Sequence, residues 1–476
     1  MTLTHINTND SVCIKIGKTI TNSFVANQGV KQGCILSPIL FNIFLSDLQD
    51  VMEKTKCEPV QIAQNSPLGC LIWADDLILL SKSKSGLENM FSELKSYTEE
   101  NGMKINVKKT KIMIFNKTGR HIRRNIYFGD VRIETTRQYK YLGFMVTPSG
   151  EITTGLKDLK DRATRAMAKM RKKQGILFRK CPLINLKLFK ALVEPILLYA
   201  SDFWGILKLP ENNPIENVHI SFCKQLLGVQ KQTTNIGVLL ELGQIPLRIF
   251  ALKNAIKNWV RIANKISCND MTIKSHENSI LHNLKWPNRI ENVITEIGLR
   301  VLFLQKDKTT HLYVFQRLRD IFHQESFSAI SNESSKLRTY SLFKNDIGFE
   351  QYLNIVQNLQ ERTFLTKFRL SNHELMIEKG RHSKPKIEKH RRYCPFCPSH
   401  VEDEHHFLIK CPIYSHLRDK LFAEIIITKP DFFYTKDENL FRFLLKCQDI
   451  AHCTAHFVSQ ANSLRTYLVS KFKNMW

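Results

Sequence analysis

Two adjacent aspartates, Asp75 and Asp76, interrupt the apolar run Leu71-Ile72-Trp73-Ala74-Asp75-Asp76-Leu77-Ile78-Leu79-Leu80. The run is too short for a long helix and reads as a hairpin, with Leu71–Ala74 and Leu77–Leu80 as two buried strands and the acids at the tip. A surface turn also accounts for the pair, since Asp is common in turns. A tight two-residue turn, however, favours Gly or Asn, which reach positive φ, and neither is present. Side-by-side carboxylates repel each other and resist desolvation, so they need a cation to hold them. A divalent metal with a hard oxygen preference suits them, with phosphate oxygens completing the shell. On spacing alone both readings stay open.

A second constellation begins at Cys394-Pro395-Phe396-Cys397 and continues to His405, His406 and Cys411. A Cys-x2-Cys pair places two thiolates on one knuckle turn, and a His and a Cys a few residues on can close a tetrahedron around zinc. With His406 the pattern is Cys-x2-Cys-x8-His-x4-Cys. His405 shifts one spacing by a residue and stays open, while His400 lies on the loop and is less suited. The competing reading is a reduced cysteine pair without metal. Cys447, His452, Cys453 and His456 form another group, but they fall in an apolar-periodic helical stretch with no closed-site spacing, so they read as helix-surface residues.

The surrounding pattern says which elements must position these groups. Residues 12–26 read as two strands around Gly17. Gln28–Gly33 is a Gly-flanked loop, and Pro38 opens an apolar-periodic helix through Leu48. Ser85-Gly86-Leu87-Glu88 reads as a capping box ahead of a helix that Asn101-Gly102 stops. The strand Ile112–Phe115 follows, so strand–helix–strand is the local unit and a mixed sheet is expected. Ile126–Ile133 is a hairpin turning at Gly129-Asp130, and Tyr139–Val146 is a further strand. From Leu156 to Lys173 a helix carries Leu159, Ala163, Ala166, Met167 and Met170 on one face. Its other face is basic, with Lys157, Lys160, Arg162, Arg165, Lys169 and Arg171–Lys173. That face suits phosphates met without reading sequence, or else is simply solvated. Ile184–Tyr199, Ile215–Leu227 and Pro246–Ala263 continue as helices, with Asp202 and Trp204 read as packing residues. Residues 264–390 read as mainly helical and polar, and Lys379–Arg392 as a basic arm, a nuclear signal or a solvated linker.

Composition narrows the partners. The 476 residues carry a formal charge of +26 with 43% apolar content, enough for a sizeable core in two or three domains. Such an excess of positive charge points first to nucleic acid. No apolar run approaches a bilayer span, so no membrane partner is expected. The N-terminus shows no secretory pattern, and the twelve cysteines are too sparse for a disulfide scaffold, so an intracellular setting is expected.

Four motifs in order then resemble those of non-LTR retrotransposon (LINE-type) reverse transcriptases. They are Gln28-Gly29-Val30-Lys31-Gln32-Gly33-Cys34-Ile35-Leu36-Ser37-Pro38-Ile39-Leu40-Phe41-Asn42, the Trp73-Ala74-Asp75-Asp76 stretch, Asn106–Lys111, and Tyr141-Leu142-Gly143. Trp73 stands where that family usually has Tyr or Phe. The resemblance implies an α+β chain: a partial polymerase palm of mixed or antiparallel sheet with packed helices, then a helical thumb-like region and a small zinc knuckle. The divisions expected are 1–148, 149–265, 266–390 and 391–476.

The function implied is RNA-directed DNA polymerisation by two-metal nucleotidyl transfer, with RNA template, DNA primer or target, and dNTPs as partners. Asp75 and Asp76 would hold Mg²⁺ or Mn²⁺. Gln32, Gly33 and Lys109 would line the nucleotide and template pocket, and Tyr141, Leu142 and Gly143 would hold the primer end. Lys157, Lys160, Arg165 and Lys169 would meet nucleic acid, and Cys394, Cys397, His406 and Cys411 would hold Zn²⁺, with nucleus and cytoplasm as the expected location. In that family a further catalytic Asp comes from a strand well upstream of the Gln28–Gly33 loop, and here the only acid before Gly29 is Asp10, in an unsuitable context. The sequence therefore reads as the C-terminal part of such a polymerase. Three readings follow: a polymerase, an inactive nucleic-acid-binding remnant, or a fragment acting with a separate N-terminal half.

Overall fold

The computed structural model describes residues 10–26, 30, 33–54, 57–63, 66–207, 209, 213–264, 285–332, 335–434 and 437–472. They fall into two compact units. One comprises the described residues up to Tyr139 with Thr147–Gly150, and the other Lys140–Val146 and those from Glu151 on.

The first unit starts with a nested hairpin. Asp10–Val12 pairs with Phe24–Ala26, and inside it Lys15–Ile16 pairs with Thr19–Ile20 around Gly17 at φ +61°. The helix opened by Pro38 is shorter than its periodicity suggests. It runs Ser37–Phe44, breaks, and resumes at Leu48–Lys54. In the break the Ser46 hydroxyl donates to the Ile43 carbonyl (2.7 Å), a local bond that competes with helix propagation.

The central helix, Lys84–Glu100, is capped two residues earlier than expected, by Ser83, whose hydroxyl accepts from the Gly86 N–H (3.0 Å). Gly86 is needed there. A Cβ would meet the Cys57 carbonyl oxygen at 2.5 Å. Met90, Leu94 and Tyr97 of this helix are buried against Leu45, Leu48 and Met52, and Phe91 against Ile112, Ile126 and Ile133.

Among the described residues the strands pair two by two rather than joining one mixed sheet, and the one parallel pair is Lys111–Ile112 with Glu134–Thr135. The strand expected at Ile112–Phe115 stops at Ile112. Just beyond it the Asn116 amide donates to the carbonyls of Ile114 (3.2 Å) and Arg120 (2.7 Å), which folds the chain into a loop.

In the second unit, Thr153–Gln174, Pro182–Leu192, Pro214–Leu227 and Leu247–Ala263 are helices. A single apolar core runs from Leu156 to Ala461, so residues 149–265, 266–390 and the cysteine knuckle share one interior. The polar stretch 264–390 contributes to it directly. Glu241, wholly buried, accepts from Tyr340 (2.6 Å), Tyr352 (2.7 Å) and Arg369 Nε (2.7 Å), and Arg369 Nη2 reaches Glu350 (2.6 Å). Within Lys379–Arg392, Arg392 is no solvated linker residue. It is buried and donates to the carbonyls of Ile377 (2.6 Å) and Ile387 (3.0 Å). Trp204 packs as expected, whereas Asp202 is exposed. Among the described residues no helix is long and apolar enough to cross a membrane.

Candidate active site and metal centre

The aspartate hairpin forms, with a corrected tip. Cys70–Trp73 pairs antiparallel with Asp76–Leu79, Trp73 opposite Asp76. The turn is therefore Ala74-Asp75, and Asp76 opens the returning strand. Ala74 reaches the positive φ that Gly or Asn usually supplies, +52°, at a cost of about 1 kcal/mol for an L-residue. One face of the hairpin is packed: Cys70, Ile72, Leu77 and Leu79 lie against the Met90–Leu94–Tyr97 core. The other face carries Leu71, Ile78, Trp73 and Asp76, because opposite residues of an antiparallel pair share a face. Both carboxylates are exposed, and among the described residues neither forms an ion pair or a side-chain hydrogen bond. Two hard oxygen donors thus project from a strained tip with no protein cation to neutralise them. That donor set fits part of a divalent-metal shell.

Of the residues expected around this tip, Gln32 lies outside the described residues. Gly33 has φ +84°, a conformation suited to glycine. Lys109 is exposed in a turn pinned by its N–H donating to the Asn106 carbonyl (3.0 Å). Lys111, by contrast, is tied to Glu134 at 2.6 Å.

Tyr139–Val146 is not one strand. Tyr139–Tyr141 and Phe144–Val146 pair around Leu142 (φ +44°) and Gly143 (φ +82°), a two-residue turn with positive φ at both positions. Two residues that the sequence did not single out for this role hold it. Arg162 donates to the Gly143 carbonyl (2.8 Å) and pairs with Asp158 (3.0 Å), while the Tyr199 hydroxyl donates to the Leu142 carbonyl. The Tyr199 ring would lie 3.2 Å from a Cβ at position 143, a close approach that favours glycine. An Asp four residues before an Arg was the legible signal. On the Thr153–Gln174 helix, Leu156, Leu159, Ala163, Met167 and Met170 are buried. Lys157, Lys160, Arg165 and Lys169 are exposed on the opposite side.

The cysteine cluster closes. Cys394, Cys397, His406 and Cys411 are buried, with one donor atom from each within 4.8 Å of the others. The Sγ atoms of Cys394 and Cys397 lie 4.0 and 3.7 Å from that of Cys411. A tetrahedral ion with metal–sulfur bonds of 2.3 Å requires an edge of about 3.8 Å. Both ring nitrogens of His406 are buried without a hydrogen-bond partner, which leaves one free to bind an ion. His405, the open alternative, instead has its ring beside Phe441.

The His406–Lys410 turn is a π-helix, which swings His406 inward, and the Cys411 N–H closes it on the His406 carbonyl (2.7 Å). Contact with Cys411 holds the Cys394 thiol down to about 4 and pushes the Cys411 thiol up. The loop between the ligands is tied to the rest of the unit. Glu402 takes both arms of Arg465 (2.7 Å each), and Glu404 takes Arg338 (2.7 Å) and His373 (3.1 Å). In the Cys447–His456 group, Cys453 is buried rather than on the surface, and His456 pairs with Glu361 (2.9 Å).

With these sites placed, comparison with known proteins shows what part of the chain resembles. Residues 2–146 match the family described as reverse transcriptase (RNA-dependent DNA polymerase). Over 266 residues the chain is 24% identical to the Nasonia vitripennis retrovirus-related Pol polyprotein from type-1 retrotransposable element R2, covering 49% of this chain and 24% of that protein. It is 29% identical over 205 residues to the probable RNA-directed DNA polymerase from transposon BS of Drosophila melanogaster, covering 40% and 21%. Over 213 residues it is 26% identical to the RNA-directed DNA polymerase from mobile element jockey of the same fly, covering 42% and 22%. The aspartate hairpin thus lies in a reverse transcriptase domain. The relatives it resembles come from non-LTR retrotransposons, and the chain spans less than a quarter of the length of each.

Proposed function

We propose that the chain acts in RNA-directed DNA polymerisation, with Asp75 and Asp76 as ligands of the catalytic divalent cations. The observation that carries this is the hairpin tip: two exposed carboxylates without a protein cation, inside the residues that match the reverse transcriptase family. Bound Mg²⁺ or Mn²⁺ would activate the primer 3′ hydroxyl and hold the triphosphate. Gln32, Gly33 and Lys109 would serve the nucleotide and template base. The Tyr141-Leu142-Gly143 turn, fixed by Arg162 and Tyr199, holds the primer end. Lys157, Lys160, Arg165 and Lys169 meet the duplex backbone. Zn²⁺ is the ion that best fits the three cysteines and His406, and its role is structural, because all four ligands are supplied and buried.

A second reading, in which a further polypeptide segment completes the palm, is favoured by exposed apolar surface. Ile35, Ile39 and Ile43 are 88%, 55% and 63% exposed and Trp73 is 67% exposed, a concentration that usually marks a covered face. Primer extension on an RNA template with Mg²⁺ or Mn²⁺ tests both. Incorporation by the chain that Asp75→Ala abolishes supports the first reading. Incorporation only when an upstream polymerase segment is supplied supports the second. Salt-sensitive nucleic-acid binding with no incorporation under either condition identifies an inactive remnant.

A further inference from the structure

Three arginines of the first unit surround a cavity that no role above uses. Arg123, Arg132 and Arg137, with His121 and Thr136, line an open concavity of about 520 Å³. Its walls are held from beneath. Ile126 and Ile133 are buried in the core formed with Phe91 and Ile112. The Ile133 N–H donates to the Ile126 carbonyl (2.9 Å), and the Thr136 N–H to the Ile112 carbonyl (2.8 Å). Arg132 and Arg137 therefore leave a backbone held by these bonds, and all three arginine side chains are exposed.

Glu134 is the acid on the lining, and it is already taken. Lys111 lies 2.6 Å from it and holds its carboxyl below the usual carboxylate range. Among the described residues none of the three arginines forms an ion pair or a side-chain hydrogen bond. Like charges gathered around one concavity without counter-ions repel each other in the free protein and concentrate anions from solution. Guanidinium forks match phosphate oxygens two at a time, and three of them lining one open concavity suit a strand with several phosphates better than a single small anion.

We propose that this cavity is a contact for the phosphate backbone of a nucleic-acid strand, separate from the aspartate hairpin and from the basic helix Thr153–Gln174. The choice of nucleic acid among polyanions rests on the polymerase reading above.

The test is fluorescence anisotropy of the full chain with labelled single-stranded RNA, single-stranded DNA and RNA–DNA hybrid across a salt series. The variants are R123Q/R132Q/R137Q, the charge-keeping R123K/R132K/R137K, and K157Q/K160Q/K169Q on the helix. The expected result is a loss of about tenfold or more in affinity for the glutamine triple, with the salt slope falling by about 2. The lysine triple should recover most of both, which a merely structural role would not produce. Unchanged affinity and slope in the glutamine triple, alongside a clear loss in the helix variant, would overturn the cavity proposal and leave the polymerase reading standing. Absence of salt-dependent binding by the unaltered chain would overturn both. Thermal melts of each variant guard against misfolding.

Discussion

The aspartate hairpin and the cysteine knuckle contain comparable numbers of polar ligand atoms, and the protein treats them in opposite ways. The carboxylates sit exposed at the tip of a two-stranded hairpin, with one face packed and, among the described residues, no ion pair for either. The knuckle is buried with its connecting loop tied down by Arg465, Arg338 and His373. On the proposed reading, a site that admits a primer, a template and a triphosphate cannot be buried, which accounts for its exposed donors and thin support. A structural ion has the opposite requirement. Closing its shell and wiring its loop into the core turns metal affinity into folding free energy.

If that contrast is right, the largest effect belongs to the knuckle. On the proposed zinc reading, chelation is expected to cost the second unit up to roughly 10 kcal/mol, read as a drop in its melting temperature, and Cys411→Ser should do the same without chelator. A chelated protein that melts unchanged would mean the cysteines hold nothing of structural weight.

Arg369→Met comes next, at about 3–5 kcal/mol, because it leaves Glu241 buried without its counter-charge. Its pH dependence has a definite sign. Burial alone raises the Glu241 carboxyl, but Arg369 and the two tyrosines hold it below 4.5. Its contribution is therefore full above 4.5 and is lost as pH falls through the lower folded value. Without Arg369 burial raises the carboxyl, and the variant should gain stability as pH falls, measurable by urea denaturation across pH.

In the first unit, Met90→Ala should cost about 2–5 kcal/mol through the cavity it leaves beneath the hairpin. Trp73→Ser, on the outward face, should change stability by no more than about 0.5 kcal/mol. A large destabilisation by that change would show the outward face to be covered within this chain.

Which of these features the sequence disclosed follows from how local their causes are. Gly17, the Gly129-Asp130 turn, the face of Leu156–Met170 and the cysteine spacing were legible because each is set by neighbours a few residues apart. The spacing could not choose between His405 and His406. The π-helical turn at 406–410 makes that choice, and no periodicity rule anticipates it. The positive φ of Ala74 was illegible because the turn chemistry argued against it. The Leu142-Gly143 turn was hidden in a run that looked like one strand. Residues 264–390 looked uninformative because the partners of their charges are remote. Arg369 and Glu241 are 128 positions apart, and no local pattern tells a buried arginine from a solvated one.

The most direct measurement of the central claim is Mn²⁺ binding followed by electron paramagnetic resonance, comparing the unaltered chain with D75N/D76N after the knuckle has been loaded with zinc. It reads the carboxylate site itself, whether or not a further segment is needed for turnover. A bound Mn²⁺ signal that the double substitution removes, with the melting temperature unchanged, is the result expected. Mn²⁺ binding that survives the substitution would contradict it and return Asp75 and Asp76 to the role of an ordinary surface turn.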